Sequence, residues 1–192
     1  MKHKLLLCQP RRKKMEPNYN KLCFFDTETV GLKPNYIVSL AYIVYENGKK
    51  IADDMIICNP DYPISEDASK TNGFTNEMVE DYPLFSKQWK KISKYFDNAI
   101  LVAHNSSFDI RALNTEAERY GITLPNFWVC DTYTNAKALI PKGVTANYKL
   151  GTLCDYFGIV LKNWHTADAD TRACLRLYNK LIEISDGNLI VK

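Results

Sequence analysis

Asp26-Thr27-Glu28 places two carboxylates at i and i+2, where the apolar run Leu22–Thr27 ends in acids. A short run of this kind, rich in aromatics, reads as a buried central strand. A period of two turns both carboxylates to one face. Acids so placed repel each other and lose hydration unless a cation or a partner offsets both costs. By itself, a D-x-E pair at a strand end is unspecific.

Two further segments supply acids beside imidazoles. In His104-Asn105-Ser106-Ser107-Phe108-Asp109, the last residue falls near the first turn of an expected helix. It points back towards the strand ends, although a plain helix-dipole role would also put an acid there. Asn105 could simply cap that helix, and His104 could be a satisfied core imidazole. The third segment is His165-Thr166-Ala167-Asp168-Ala169-Asp170. A helix starting near Ala167 would fix Asp170 in about its first turn and leave His165 on the loop before it. An acid anchored on a helix and a histidine on a loop suit metal-assisted hydrolysis, because an imidazole with a pKa near 6.5 accepts a proton at neutral pH. Asp131 is expected to cap a helix, and Asp168 to point away from Asp170.

The elements that must carry these groups are legible from periodicity and turn residues. Ile37–Glu46 and Lys49–Cys58 flank Asn47-Gly48, a strong hairpin signal. Pro60 to Pro83 is rich in turn residues and is expected to hold short helices. Leu84–Phe96 has helical spacing through Trp89, Ile92 and Phe96, and Ala99–Ala103 is strand-like. Ser106 or Ser107 is placed to cap a helix running to Tyr120, with Gly121 ending it. Phe127–Cys130 follows as a strand, then helices around Lys149–Phe157 and Ala167–Ile184, the latter apolar at Ala173, Leu177, Leu181 and Ile184. A three-strand meander followed by strand–helix–strand implies an α/β domain with a mixed sheet covered by helices.

The ordered set D-x-E, H-N-x-x-F-D and H-x-A-x-x-D resembles the DEDDh, or DnaQ-like, exonuclease family, which includes proofreading subunits and ribonuclease T-like enzymes. The likeness runs from about Leu22 to Leu181. It includes Phe25-Asp26-Thr27-Glu28-Thr29-Val30-Gly31-Leu32, Leu101-Val102-Ala103-His104-Asn105 and Leu150-Gly151-Thr152-Leu153-Cys154. Val30 stands where the family often has Thr. The resemblance implies a ribonuclease H-like, mixed five-stranded sheet flanked by helices. It implies a metal-dependent 3′→5′ exonuclease releasing nucleoside 5′-monophosphates. In that picture Asp26 bridges two Mg²⁺ or Mn²⁺ ions, Glu28 and Asp170 complete one site, and Asp109 supports the other. His165 deprotonates the water. Thr29 and Leu32 resemble positions that meet the terminal nucleotide, Leu32 wedging beside the base. Thr27, His104 and Asn105 are counted with the substrate contacts. Turn structure and core packing are the ordinary roles for such residues. Tyr148 and Trp164 are candidate stacking platforms.

Composition is compatible with this reading. The net charge of +3 divides into a basic head, with six Lys or Arg and no acid in residues 1–14, and a body carrying 19 bases against 22 acids. The expected organisation is a basic extension over 1–20, an exonuclease domain over 21–186 and a tail over 187–192. Leu5-Leu6-Leu7-Cys8 is too short for a secretory apolar region. Arg11-Arg12-Lys13-Lys14 could serve as a nuclear signal or a phosphate contact, and Met15 as an alternative start. Six cysteines without zinc spacing fit a reducing, intracellular setting, cytoplasmic or nucleoid-associated. Expected partners are single-stranded DNA or RNA 3′ ends, with DNA favoured, and not a membrane. A polymerase or other nucleic-acid-processing protein and a second copy of the chain are further candidates. The competing reading is a non-catalytic nucleic-acid-binding or assembly module on the same fold. Retention of all four acids argues against it, because repelling acids without metals cost stability.

Overall fold

The computed structural model describes residues 16–160 and 166–192. Most of the expected basic extension, and His165 and Trp164, lie outside the described residues.

Strand β1, Lys21–Thr29, is buried at Cys23, Phe24 and Phe25 and lies at the centre of a five-stranded sheet. Strands β2 (Ile37–Glu46) and β3 (Lys49–Ile57) turn at Asn47-Gly48, both at positive φ. That conformation suits Asn-Gly and matches the twist of paired strands. Strands β4 (Ala99–Ala103) and β5 (Phe127–Asp131) run parallel to β1 on its other side, giving the order β3-β2-β1-β4-β5. The expected mixed five-stranded sheet is therefore observed. Helices α1 (Glu66–Asn72) and α2 (Asn76–Val79) are the short helices expected among the turns, followed by α3 (Phe85–Phe96) and α4 (Ser107–Tyr120). Asp131 caps α5 (Thr132–Leu139) as expected, and α6 (Leu150–Tyr156) and α7 (Ala167–Ile184) complete the layers.

The alternation of β1 decides what each of its faces meets. Cys23 and Phe25 pack in one core with Trp89, Ile92 and Phe96 of α3 and Ala112 and Leu113 of α4. Phe24 packs on the opposite face against Cys174 of α7, with the Tyr178 ring edge-on at 5.2 Å. By parity, Asp26 and Glu28 share the α7 face and Thr27 the α4 face.

Three expectations are revised. Ser106 occupies the N-cap of α4 but makes no side-chain capping bond, because its own backbone is already helical. Ile184, expected on the apolar face, is the last residue of α7 and is 49% exposed. The expected tail is joined to the sheet: Val129 of β5 and Lys192 exchange backbone bonds at 2.8 and 3.0 Å, and Asn135 bonds both backbone groups of Ile190. Among the described residues, no helix is long and apolar enough to cross a membrane.

Candidate functional site

The end of β1 brings three carboxylates together. One oxygen each from Asp26, Glu28 and Asp170 lies within 4.8 Å of the others. Strand parity presents the first two to α7, and the helix presents the third from its first turn. The Thr166 hydroxyl caps that turn by accepting from the Ala169 amide, and the Thr166 carbonyl accepts from the Asp170 amide at 3.0 Å. Asp168 points away as expected and pairs with Arg172, which also makes a two-bond contact with Asp53 of β3.

Asp109 reaches the site from the other face of the sheet and stands outside that trio. It is 2% exposed, and its Oδ1 accepts from the Thr27 amide at 3.0 Å and the Thr27 hydroxyl at 2.7 Å. Thr27, expected among the substrate contacts, is buried and has both donor groups on Asp109.

The electrostatics follow from crowding acids into a poorly hydrated corner. Burial raises Asp26 well above the usual carboxylate range, and Asp109, Glu28 and Asp170 push it further. Burial, then Asp170 and Asp109, pushes Glu28 up to about 8. Asp109 rises to about 7 by burial even though the two Thr27 bonds oppose the shift. Among the described residues, the charges acting on Asp26 are all carboxylates. Such a set holds protons or a hard divalent cation, and an oxygen-only donor set is of the kind Mg²⁺ and Mn²⁺ take. The residues present fit that group.

The second motif is largely structural in its contacts. Both ring nitrogens of His104 are engaged, Nδ1 with the Thr132 hydroxyl at 2.9 Å and Nε2 with the Tyr148 carbonyl at 3.0 Å. Burial lowers its pKa and so favours the neutral ring. Asn105 sits in the left-handed region at φ 62°, where Asn is among the better-tolerated residues, and turns the chain sharply from β4 into α4. Its amide donates to Asp131 Oδ1 at 2.9 Å, while its side chain is on the exposed surface. Tyr148 is half-buried, its hydroxyl donating to the Ile140 carbonyl.

A cleft of about 850 Å³ opens beside Glu28, with Thr29, Leu32, Tyr62 and Phe108 on its walls. Leu32 is 77% exposed into this region, whereas the buried Thr29 donates its hydroxyl to the Gly31 carbonyl.

Sequence reasoning missed two residues that organise the site. Thr132, fully buried, ties His104 to the Ala103 carbonyl at the end of β4. Asp131 does more than cap α5: it also holds the Asn105 amide, joining the ends of β4 and β5. Their only sequence signal was a polar pair at the end of a strand.

A family model described as an exonuclease, RNase T, matches residues 23–178. The DNA polymerase III subunit epsilon of Treponema pallidum is 32% identical over 160 residues, which cover 82% of this chain and 74% of that protein. The PolC-type DNA polymerase III of Caldanaerobacter subterraneus subsp. tengcongensis is 34% identical over 162 residues, 83% of this chain but 11% of that protein. Exonuclease X in complex with 5′ overhanging duplex DNA superposes with a TM-score of 0.67 at 26% identity, covering 86% of this chain and 93% of that one. The nuclease domain of 3′hExo, a DEDDh family member bound to rAMP, shares the fold with a TM-score of 0.75 at 14% identity, covering 93% and 98%. The match across residues 23–178 and a relative 32% identical across 74% of its own length lead to one conclusion: the chain belongs to the RNase T exonuclease family and is an exonuclease.

Proposed function

We propose that the chain removes nucleoside 5′-monophosphates one at a time from the 3′ end of single-stranded nucleic acid, DNA in preference to RNA, within a domain spanning about residues 21–186. The single observation that carries this reading is the convergence of Asp26, Glu28 and Asp170 oxygens within 4.8 Å, in surroundings that make unshared negative charge costly.

Asp26, Glu28 and Asp170 would hold one divalent ion, Mg²⁺ or Mn²⁺, and Asp26 with Asp109 would hold the second. Two such ions supply charge neutralisation at the scissile phosphate and activation of a water. Thr27 keeps the Asp109 carboxylate oriented through its two donor groups. His165, directly before the Thr166 cap of α7, takes the proton from the attacking water. Leu32 and Thr29 form the wall against which the terminal nucleotide rests, and the exposed Asn105 side chain is available to the substrate backbone. His104 acts by holding α5 and the segment before α6 against the end of β4.

The DNA preference is supported by two relatives, one named a DNA polymerase III subunit and the other solved with duplex DNA. A polymerase is for the same reason the favoured protein partner. Digestion of 5′-labelled single-stranded DNA and RNA in Mg²⁺, beside the Asp26→Ala protein, tests the reading. A ladder shortening from the 3′ end and absent in the variant is expected, faster on DNA. No cleavage of either substrate in Mg²⁺ or Mn²⁺ would overturn it in favour of a non-catalytic module.

A further inference from the structure

Helix α4 carries Asp109 in its first turn and Glu116 two turns further along the same face. Glu116 is fully buried, and its Oε1 accepts from the Ile37 amide at 2.8 Å. Its Oε2 has no hydrogen-bond partner among the described residues. A buried acid is a costly way to hold one amide, so the contact must do something that apolar packing would not.

The neighbours of Glu116 show what it holds. Thr115 Oγ1 lies 2.8 Å from Asn35 Oδ1, and the Arg119 guanidinium stacks over the Tyr36 ring at 4.1 Å. Arg119 also donates to the Pro60 carbonyl at 2.6 Å. Three consecutive residues, Asn35, Tyr36 and Ile37, are thus each gripped by a side chain of α4. They directly follow the segment Gly31–Pro34, which walls the cleft beside Glu28 and bears the exposed Leu32. On the far side, Tyr36 meets Tyr62 edge-on at 5.4 Å, and Tyr62 also lines the cleft.

We propose that Thr115, Glu116 and Arg119 form a clasp, with Glu116 its central positioning residue, that sets the Leu32 wall at a fixed distance from Asp109. One rigid helix then carries a carboxylate of the site in its first turn and, about two to three turns on, the grip on the three residues that follow the Leu32 wall. A substrate end seated against that wall is registered to the carboxylates by α4, and displacements of about 1 Å in such registration cost up to about 10²-fold in rate. The assignment of the cleft to the terminal nucleotide rests on the reading given under Proposed function.

The test compares Glu116→Gln, which keeps an oxygen acceptor for Ile37, with Glu116→Leu, which fills similar space without one. Two readouts are taken: KM and kcat on 5′-labelled single-stranded DNA, and amide exchange across residues 30–37. Glu116→Leu is expected to raise KM about tenfold, as the wall loosens, and to lower kcat about tenfold, as the substrate end loses its register to the carboxylates. Exchange should speed up at Ile37 and its neighbours while β1 and β4 keep their protection. Glu116→Gln should restore both. A folded Glu116→Leu protein with native KM and native protection over 30–37 would overturn the clasp, as would a uniform loss of protection throughout the sheet. Should Glu116→Leu not fold, Thr115→Val is read by the same two measurements, with unchanged KM and exchange again overturning the proposal. The exchange readout needs no activity, so failure of the wild-type chain to digest DNA would sink the functional reading while leaving the clasp to be judged separately.

Discussion

Thr27 holds one carboxylate oxygen of Asp109 with two donors, its amide at 3.0 Å and its hydroxyl at 2.7 Å, across a sequence separation of 82 residues. The contact fixes the start of α4 to the end of β1. Thr27→Val keeps the shape and the amide bond but removes the hydroxyl. Orienting partners of ligand carboxylates are worth about 10- to 100-fold in metal affinity or activity. We expect exonuclease activity to fall within that range and the Mg²⁺ requirement to rise. Native activity at limiting Mg²⁺ would show the hydroxyl to be dispensable.

The crowded acids make the metal-free protein sensitive to alkali. Glu28 is raised to about 8 and Asp109 to about 7, so the folded chain binds more protons than the unfolded chain between the ordinary carboxylate range and those values. Their contribution to stability is therefore fully present below about pH 4, near the unfolded carboxylate pKa, and is lost as pH rises through about 7 to 8. Thermal melts in EDTA should show Tm falling from pH 5.5 to pH 9. Added Mg²⁺ should raise Tm, and more so at the alkaline end, because binding displaces those protons. A flat EDTA profile would contradict the raised pKa values.

His165→Ala should leave the fold and metal binding intact and lower kcat by about 10²- to 10⁴-fold, the usual worth of a general base. The melting shift on adding Mg²⁺, measured in the same protein, separates this from damage to the carboxylates. Retained turnover within about threefold would exclude His165 as the base.

Asp53 is held below the usual carboxylate range by hydrogen bonds from Arg172 and Lys50, and it ties β3 to the first turns of α7. The Arg172 side chain is 45% exposed, so solvent screens the pair and the stability at stake is at most about 1 kcal/mol. Asp53→Ala should lower Tm by only a few degrees, with a smaller difference from wild type at high salt. A large, salt-independent loss would mean that Asp53 acts through packing.

Much of this was legible without coordinates. Phe24, Asp26 and Glu28 share a face of β1 because strands alternate, and the apolar spacing of Ala173, Leu177 and Leu181 marks the buried side of α7. These signals are local, since backbone geometry imposes its period on whichever side chains must be buried. The order of the acids along the chain likewise identified the family, because each acid sits at a strand end or a helix start that punctuates the sequence.

Other features had no local signal. Nothing near His104 distinguishes a substrate contact from an imidazole held on both nitrogens by Thr132 and Tyr148. Glu116 reads as one more acid on an amphipathic helix until Ile37, 79 residues earlier, is found against it. The closing residues look like a tail until Lys192 is seen paired with Val129. By itself the sequence determined the apolar faces of the main strands and helices and placed acids at a strand end and at two helix starts. Tertiary structure alone decided which hydrogen-bonding groups hold those acids in place, because a polar group's partner depends on where distant segments come to rest.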